Sequence, residues 1–382
     1  MSTLLTSSVL LDHLAVLPDP RTKRSPQHKL IDIVALTICG VLGGADNWVD
    51  IALFGQAKEA WFRRFLELPH GIPSHDTFGR VFARLDPNAF EAVFRRWVSH
   101  VQQTITGVVS IDGKSLRGSK DRSQGQEAIH LVSAWASTNR IVLGQVQTDQ
   151  KSNEITAIPE LLAALSLRGC IVTMDAMGCQ KAIAGQIRDQ QGDYVLSLKA
   201  NHGNLHDEVR ALFEICRRND FAHRPHRYYE TLDKDHGRIE IRRHWVIEVP
   251  KYLYPDTAEW RDLTALGLVE RERHIGDQVS VECHHYLLSF HPSGERFAEA
   301  VREHWGIENR LHWMMDVGFH EDASQVRRDH GPANLARVRR IAQTLLQQDC
   351  STKASMRSKR HVAGWDLDYM EVLLTQEISD QK

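Results

Sequence analysis

The 382-residue sequence has few cysteines, no long apolar run and no excess of either charge, and each absence excludes a class of protein. The six cysteines form no CxxC pair, which argues against a zinc ribbon and against a disulfide framework. No segment approaches the roughly 18 uncharged apolar residues of a membrane span. The N-terminal segment lacks the basic stretch and cleavage site of a secretory signal. We therefore expect a cytoplasmic protein without a membrane partner.

The formal net charge of −2 gives the whole chain none of the basicity that is typical of nucleic-acid-binding proteins. Basic residues are instead concentrated locally, in residues 217–243 and 321–360. The second segment includes Arg327, Arg328, Arg337 and Arg340. Either segment could follow a phosphate backbone, and either could equally form a solvated helix face or loop.

Hydrophobic periodicity divides the chain into helical and mixed parts. The predicted divisions are a helical N-terminal domain (1–105), the first part of a catalytic core (106–203), a β-rich insertion (204–292), the second part of the core with a long helix (293–349) and a helical tail (350–382). In the first part, Ser74 is a good N-cap for a helix carrying Arg80 and Arg84. This helix could enter a DNA groove and bind DNA ends, or it could be one more helix of a bundle.

Residues 106–203 predict a mixed sheet. Three strands with short connections are expected to be antiparallel neighbours, whereas a strand reached through a crossover helix is parallel to one of them. If the strand ending at Asp175 lies beside the strand containing Asp112, the two aspartates meet on adjacent strands. This is the strand order of the ribonuclease H-like fold. The predicted fold class is therefore α/β, with a ribonuclease H-like mixed sheet, a β-rich insertion and an all-helical N-terminal domain.

Three acidic residues, Asp112, Asp175 and Glu308, occur where the pattern predicts burial. The aspartates end short apolar runs, and Glu308 is predicted to face the core on an amphipathic helix. At 100° per residue, its neighbours on that face are Val301, His304, Trp305, Leu311, His312, Met315 and Phe319. Buried carboxylates require partners, which are either cations of an ion pair or divalent metal ions bound for phosphoryl transfer.

Two other chemistries are disfavoured by spacing. The DGKS sequence at Asp112 resembles the end of a phosphate loop, but that motif requires glycine where Val108 stands. Catalytic zinc would use HExxH, which is absent from the sequence. The residues that could otherwise ligate zinc are His304, Glu308 and His312, or Cys283, His284 and His285.

Several long motifs match one family in the right order. SIDGKSLRG, TDQKSNEITAIPELL, TMDAMGCQKAIA, DYVLSLKANHG and HWGIENRLHWMMDVGFHED resemble bacterial insertion-sequence transposases of the ISAs type, which include the H-repeat-associated proteins. The resemblance extends over nearly the whole chain, including GIPSHDTFGRVF in the N-terminal part.

The resemblance implies a DNA transposase with an Asp-Asp-Glu triad, in which Asp112, Asp175 and Glu308 occupy the matching positions. It implies two Mg²⁺ or Mn²⁺ ions and no nucleotide, with cleavage and strand transfer at the ends of an insertion sequence. Asp112 would bridge both ions. The implied partners are double-stranded DNA and a second copy of the chain, in a bacterial cytoplasm at the nucleoid.

DNA-contacting residues do not transfer directly from better-studied relatives with an inserted β domain. Those relatives carry Tyr, Arg and Lys around the glutamate, where this chain has Val301, His304 and Met315. Candidate DNA contacts by proximity or charge are Lys199, Asn201, His202, His304, Asn309, His312, Arg327, Arg328, Arg337 and Arg340. Two other functions stay open: a catalytically inactive DNA-binding remnant, and a nuclease that cuts without joining.

Overall fold

The computed structural model of the chain describes residues 9–22, 26–101, 105–125, 127–148, 154–235 and 237–375. The described α-helices are α1 (Val9–Ala15), α2 (Leu30–Leu42), α3 (Trp48–Ala57), α4 (Glu59–Phe62), α5 (His75–Arg84), α6 (Pro87–Val101), α7 (Glu154–Ala163), α8 (Lys181–Asp189), α9 (Gly203–Arg218), α10 (Tyr254–Thr257), α11 (Gly294–Gly306), α12 (Trp313–Phe319), α13 (Gly331–Gln348), α14 (Met356–Trp365) and α15 (Leu367–Thr375). The strands are β1 (Gly107–Ser115), β2 (His130–Ala136), β3 (Ile141–Thr148), β4 (Cys170–Met174), β5 (Asp193–Leu198), β6 (His226–Asp235), β7 (Arg238–Glu248), β8 (Ala265–Ile275) and β9 (Gln278–Leu288).

The N-terminal part is helical, as its periodicity predicts. Ser74 has extended backbone and precedes α5, which packs against α3 and α13. Arg80 and Arg84 lie on its exposed side. Helix α5 is thus a member of the helical bundle. That its exposed face binds DNA ends stays a prediction. None of the described helices combines the length and the apolar character that a membrane span requires.

The sheet has the predicted ribonuclease H-like order. Its first five strands run β3-β2-β1-β4-β5, with β2 antiparallel to β1 and β3 and with β4 parallel to β1 and β5. The pairing of Ile111 with Met174 brings the strand positions of Asp112 and Asp175 beside each other. The crossover connection through α7 therefore makes β4 parallel to β1, as expected from the sequence.

The segment between β5 and α11 extends this sheet. Its strands continue the order as β9-β8-β7-β6, and β9 pairs antiparallel with β5 from Val195–Leu288 to Leu198–His285. Strand β8 was not predicted, because its apolar first half is followed by the charged run of Glu270–His274. The described part of the chain thus contains one nine-stranded sheet.

Helix α11 crosses one face of this sheet, where it contacts β1, β4, β5, β6 and β7. It continues through a π-helical turn, Ile307–His312, into α12. A π-turn has i→i+5 hydrogen bonds and is often found at functional sites. The opposite face of the sheet is covered by α7, α8 and α9. Glu308, on the helix predicted to return to the sheet, therefore lies in this π-turn.

Helix α13 joins the N-terminal helices to the sheet through buried ion pairs. Arg337 Nε donates to Glu91 Oε2 at 2.7 Å, while Glu91 Oε1 accepts the backbone N–H of Gln145 on β3 at 2.8 Å. Arg340 forms a bidentate pair with Glu321, and both side chains have 0% exposure. The prediction that Arg337 and Arg340 contact DNA is therefore wrong for this structure, because their guanidinium groups are buried and paired.

Candidate active site

The two aspartates lie on the helix α11 side of the sheet. Asp112 is within β1, and Asp175 directly follows β4. Because side chains alternate along a strand, Ser110, Asp112 and Lys114 share one face of β1. Thr173 precedes Asp175 by two residues in the same way.

Hydrogen bonds at these preceding positions attach the helix to the sheet. Thr173 Oγ1 donates to Ser110 Oγ at 3.2 Å, and Ser110 Oγ is 3.2 Å from the Glu303 carbonyl, to which it donates. Ser137 Oγ donates to the same carbonyl at 3.2 Å, and His304 Nδ1 lies 3.1 Å from Thr173 Oγ1. These contacts fix the last turn of α11 against both aspartate-bearing strands. Sequence inspection missed Ser110 and Thr173, although their shared two-residue offset from the aspartates was a signal.

The π-turn brings Glu308 and His312 to Asp112. His312 Nδ1 is 3.6 Å from Asp112 Oδ2 and 3.6 Å from Glu308 Oε2. One ligand atom from each of the three residues lies within 4.8 Å of the others. The structure thus joins two members of the predicted triad and one predicted DNA contact, His312, in a single cluster.

The two acids of this cluster have pKa values that are shifted in opposite directions. Burial, followed by the charge of Glu308, raises the pKa of Asp112 to about 8. The neighbouring imidazole of His312 lowers the pKa of Glu308 to about 2. The two carboxylates therefore oppose each other's ionisation, and a cation between them would relieve that opposition.

Asp175 lies beside this cluster without entering it. Its Oδ1 accepts the backbone N–H of Met177 at 2.8 Å and that of Gly178 at 3.4 Å. This hydrogen bonding holds the carboxylate at the end of β4. The charge of Asp175 also contributes, as a minor cause, to the raised pKa of Asp112. Asp175 and Asp112 are thus electrostatic neighbours.

Glu308 is more open than its helical position predicts. Its side chain is 53% exposed, and Trp305 on the same predicted face is 47% exposed. The expectation that Glu308 faces the core is wrong, because its side chain extends to solvent at the start of the π-turn. Leu311 and Met315 do face the core, as predicted.

Lys114 is a buried cation next to the site that sequence inspection did not assign. Its Nζ forms an ion pair with Asp316 and donates to the His312 carbonyl at 3.3 Å. It also lies 3.7 Å from Glu321 Oε2. A lysine two residues after Asp112 in a buried strand was the available signal. Lys114 connects β1 to the end of the π-turn and thereby supports the position of Glu308.

The remaining predicted contacts are spread around the site. Lys199, Asn201 and Asn309 are exposed, whereas His202 is half-buried. Burial lowers the pKa of His304 to about 4, so this imidazole is neutral at physiological pH. The structure does not bring these residues into the Asp112 cluster.

A basic groove extends from the helix beside Glu308 across the β6–β9 half of the sheet. Its cavity of about 930 Å³ is bounded by α11 and by alternate residues of β6–β9, and its basic side chains outnumber its acidic ones. Trp305 and Asn309 line it at the Glu308 end. The basic lining residues are Lys234, Arg238, Arg242, Arg271, Arg273, Arg302 and Arg310.

A second basic pocket follows the C-terminal end of β1. It has a cavity of about 390 Å³ lined by Arg117, Lys120, Asp121, Arg122, Ser123 and Arg327. Arg327 Nε donates to the Gly118 carbonyl at 3.1 Å, so its side chain is positioned at this pocket. Arg328 is exposed, with an ion pair to the neighbouring Asp329.

The donor set fits a divalent cation. Carboxylate oxygens are ligands for Mg²⁺ and Mn²⁺, and imidazole nitrogen is a ligand for transition metals. The three ligand atoms come from a strand and a helix that hydrogen bonds hold together. No lysine or arginine forms an ion pair with Asp112, Asp175 or Glu308 within the described ranges.

Comparison with known proteins agrees with this geometry. Residues 104–345 match the family described as "Transposase DDE domain", and residues 11–98 match "DDE_Tnp_1-associated". The chain belongs to the DDE transposase family. Its relatives include "H repeat-associated putative transposase YhhI" of Escherichia coli (strain K12), 39% identical over 96% of this chain and 97% of that protein. "Putative transposase YncI" of Escherichia coli O157:H7 is 38% identical over 96% of this chain and 94% of that protein.

Among solved structures, the chain is similar to the piggyBac transposase in its synaptic complex with hairpin DNA. The TM-score is 0.42 at 11% identity, over 96% of this chain and 78% of that chain. The ribonuclease H-like assignment of this DDE family member rests on its own strand order.

Proposed function

We propose that this protein is an active transposase that cleaves DNA at the ends of an insertion sequence and joins the freed ends to target DNA. The observation that carries the proposal is the meeting of Asp112 and Glu308 in one cluster that, among the described residues, has no lysine or arginine partner. Clustered acids without such partners are costly to a fold, so their presence favours a role in binding a ligand.

Asp112, Asp175 and Glu308 would hold two divalent cations, Mg²⁺ or Mn²⁺. Bound cations supply Lewis-acid activation of an attacking hydroxyl and charge stabilisation at the leaving oxygen. Asp112 would contact both cations, which is supported by its electrostatic contact with Glu308 and with Asp175. Asp175 keeps Oδ2 available because its backbone hydrogen bonds use Oδ1. Lys114 and the Glu303 carbonyl contacts hold the glutamate turn in place during the reaction.

Double-stranded DNA is the proposed substrate, with the two basic pockets as its binding surfaces. The groove includes Asn309, next to Glu308, and the Arg117–Arg327 pocket follows the C-terminal end of β1, the strand that carries Asp112. Arginine binds phosphate through several donors and attracts the backbone independently of sequence. Base-specific selection of an end would require further contacts, for which the helical N-terminal part is the proposed source.

The test is cleavage of a duplex carrying the end of the flanking element, in Mg²⁺, Mn²⁺ or EDTA. We expect Asp112→Asn, Asp175→Asn and Glu308→Gln to abolish cutting and joining while retaining duplex binding. Glu303→Gln is the matched control, because its carboxylate pairs with Arg310 at 3.2 Å on the same helix. Retained cutting by any triad variant would remove that residue from the site.

The same assay separates the two alternatives. Binding of the folded wild type without any cutting would identify a DNA-binding remnant. Metal-dependent cutting without joining, given a 3′-hydroxyl end and target DNA, would identify a nuclease. Light-scattering mass of the complex with two ends tests the proposed homodimer, for which two copies of the chain are expected.

A further inference from the structure

We infer that His312 is a metal ligand, which gives one of the two cation sites a nitrogen donor and a preference for transition metals over Mg²⁺. The inference rests on the proposed metal-dependent function and adds a fourth ligand to its three acids. It concerns the site formed by Asp112, Glu308 and His312.

The spacing of the three donor atoms fits a shared ion better than a set of hydrogen bonds. The His312 Nδ1 atom is 3.6 Å from one oxygen of Asp112 and 3.6 Å from one oxygen of Glu308. Hydrogen bonds between nitrogen and carboxylate oxygen are shorter, at roughly 2.7–3.2 Å. Ligands bound to one ion at about 2.1 Å are roughly 3.0–3.6 Å apart at angles of 90–120°. The imidazole nitrogen therefore lies at ligand separation from both carboxylates, and all three donor atoms lie within 4.8 Å of one another.

The orientation of His312 is fixed by packing. Its side chain is 7% exposed, and its neighbour Leu311 is fully buried. The Lys114 ammonium holds the His312 backbone carbonyl at 3.3 Å. Nδ1 faces both acids in this orientation.

The other ring nitrogen shows which tautomer the assignment requires. His312 Nε2 is buried and lacks a hydrogen-bond partner within the described residues. Because Nδ1 would bind the ion through its lone pair, the imidazole proton would lie on Nε2. Nε2 would be an unpartnered donor in a protonated histidine as well, so the assignment rests on the position of Nδ1 beside the two carboxylates.

A nitrogen ligand changes which cations bind tightly. Mg²⁺ prefers oxygen donors in octahedral geometry, whereas imidazole favours later divalent metals. We therefore expect Mn²⁺ and Co²⁺ to bind this site more tightly than Mg²⁺. The second site, formed by Asp112 and Asp175, has only oxygen donors from these residues.

The direct test is pulsed electron paramagnetic resonance of Mn²⁺ bound to the full-length protein. We expect ¹⁴N modulation from a coordinated imidazole in the wild type, replaced by the ¹⁵N pattern after labelling with ¹⁵N-histidine. In His312→Asn, an amide oxygen stands close to the Nδ1 position, so the nitrogen signal should disappear. By calorimetry, Mn²⁺ affinity should fall about tenfold or more, with a smaller change for Mg²⁺.

His304→Asn is the matched control, because His304 lies on the same helix and hydrogen-bonds to Thr173. It should retain the nitrogen modulation. Bound Mn²⁺ without nitrogen modulation in the wild type, or loss of modulation in His304→Asn alone, would overturn the His312 assignment and leave metal-dependent cleavage standing. Failure of the wild type to bind Mn²⁺ at all would overturn both proposals. The wild-type spectrum decides the question even if His312→Asn does not fold.

Discussion

Two acidic sites lie next to each other in this protein, and they differ in their partners. Glu321 is fully buried and forms a bidentate ion pair with Arg340. Asp112 and Glu308 lie beside each other and beside His312, without a lysine or arginine partner in the described chain. The first arrangement is satisfied by a basic side chain of the fold, and the second is the one at which we propose a bound cation.

The presence or absence of a lysine or arginine partner distinguishes an acid that stabilises the fold from an acid of the candidate site better than burial does. Sequence reasoning treated burial of an acid as the mark of the site, yet Glu321 is buried and Glu308 is half exposed. What distinguishes the site is uncompensated charge, which costs stability unless a ligand offsets it. The following predictions test this distinction, from the largest expected effect to the smallest.

Glu321→Gln should lower the free energy of unfolding by about 3–5 kcal/mol, because it leaves the buried Arg340 guanidinium unpaired. Urea denaturation followed by circular dichroism measures this change. The control is Glu67→Gln, whose pair with Lys29 is exposed and should contribute less than about 1 kcal/mol. Equal losses in the two variants would show that the buried pair is not structural.

Gly113→Ala should lower the free energy of unfolding by about 1–3 kcal/mol. The added methyl group would crowd the Glu154–His130 pair, which lies on the face of β1 opposite Asp112. An added Cβ would lie 2.3 Å from Glu154 Oε1 and 2.4 Å from His130 Nε2, which are hydrogen-bonded to each other at 2.6 Å. Gly185→Ala is the control, since a Cβ there meets nothing within 4 Å. Thermal melting of both variants gives the comparison, and a stable Gly113→Ala would contradict the packing.

When no metal is present, Asp112→Asn should raise the free energy of unfolding, whereas Glu321→Gln should lower it. It retains the side-chain shape and removes the cost of burying two acids together, so stability should rise by about 1 kcal/mol. The same variant should lose the rise in melting temperature that Mn²⁺ gives the wild type. Destabilisation of the metal-free variant, with Glu303→Gln unchanged, would mean that Asp112 has a structural partner.

Arg302→Gln should weaken duplex binding modestly and reduce the slope of log K against log salt by about one. Its guanidinium is 58% exposed in the groove, although it lies 3.5 Å from Asp233. Arg261→Gln is a control outside both basic pockets, with a side chain that is 63% exposed, and fluorescence anisotropy at several salt concentrations measures both variants. An unchanged slope for Arg302→Gln would place the DNA elsewhere.

Much of the fold could be predicted from the sequence because the core strands are short apolar runs with turn residues between them. The parallel pairing of β1 with β4 follows from the crossover rule, and it brings the strand positions of Asp112 and Asp175 beside each other. Strand β8 escaped detection, since its charged half points into ion pairs across neighbouring strands, including Arg243 with Glu270 and Glu272.

The candidate site was predicted less completely. Glu308 is identified from the sequence, but its exposure is not, because hydrophobic periodicity gives the direction of a side chain on a helix and not whether other elements cover it. Arg337 and Arg340 were assigned to DNA since they lie in a basic segment, whereas α13 is packed on all sides and buries them. Pairing between distant residues, such as Arg337 with Glu91, depends on tertiary structure that no local pattern encodes.

The position of the inserted strands has a consequence for how such chains can diverge. The insertion leaves the core after β5 and returns along β5 as β9, so both junctions lie at one strand edge. Hairpins added or lost beyond β8 would alter the number of residues between Asp175 and Glu308 while β5 and β9 remain paired. The sheet can therefore grow outward in whole hairpins, and the spatial distance between the acids is independent of the length of chain that separates them.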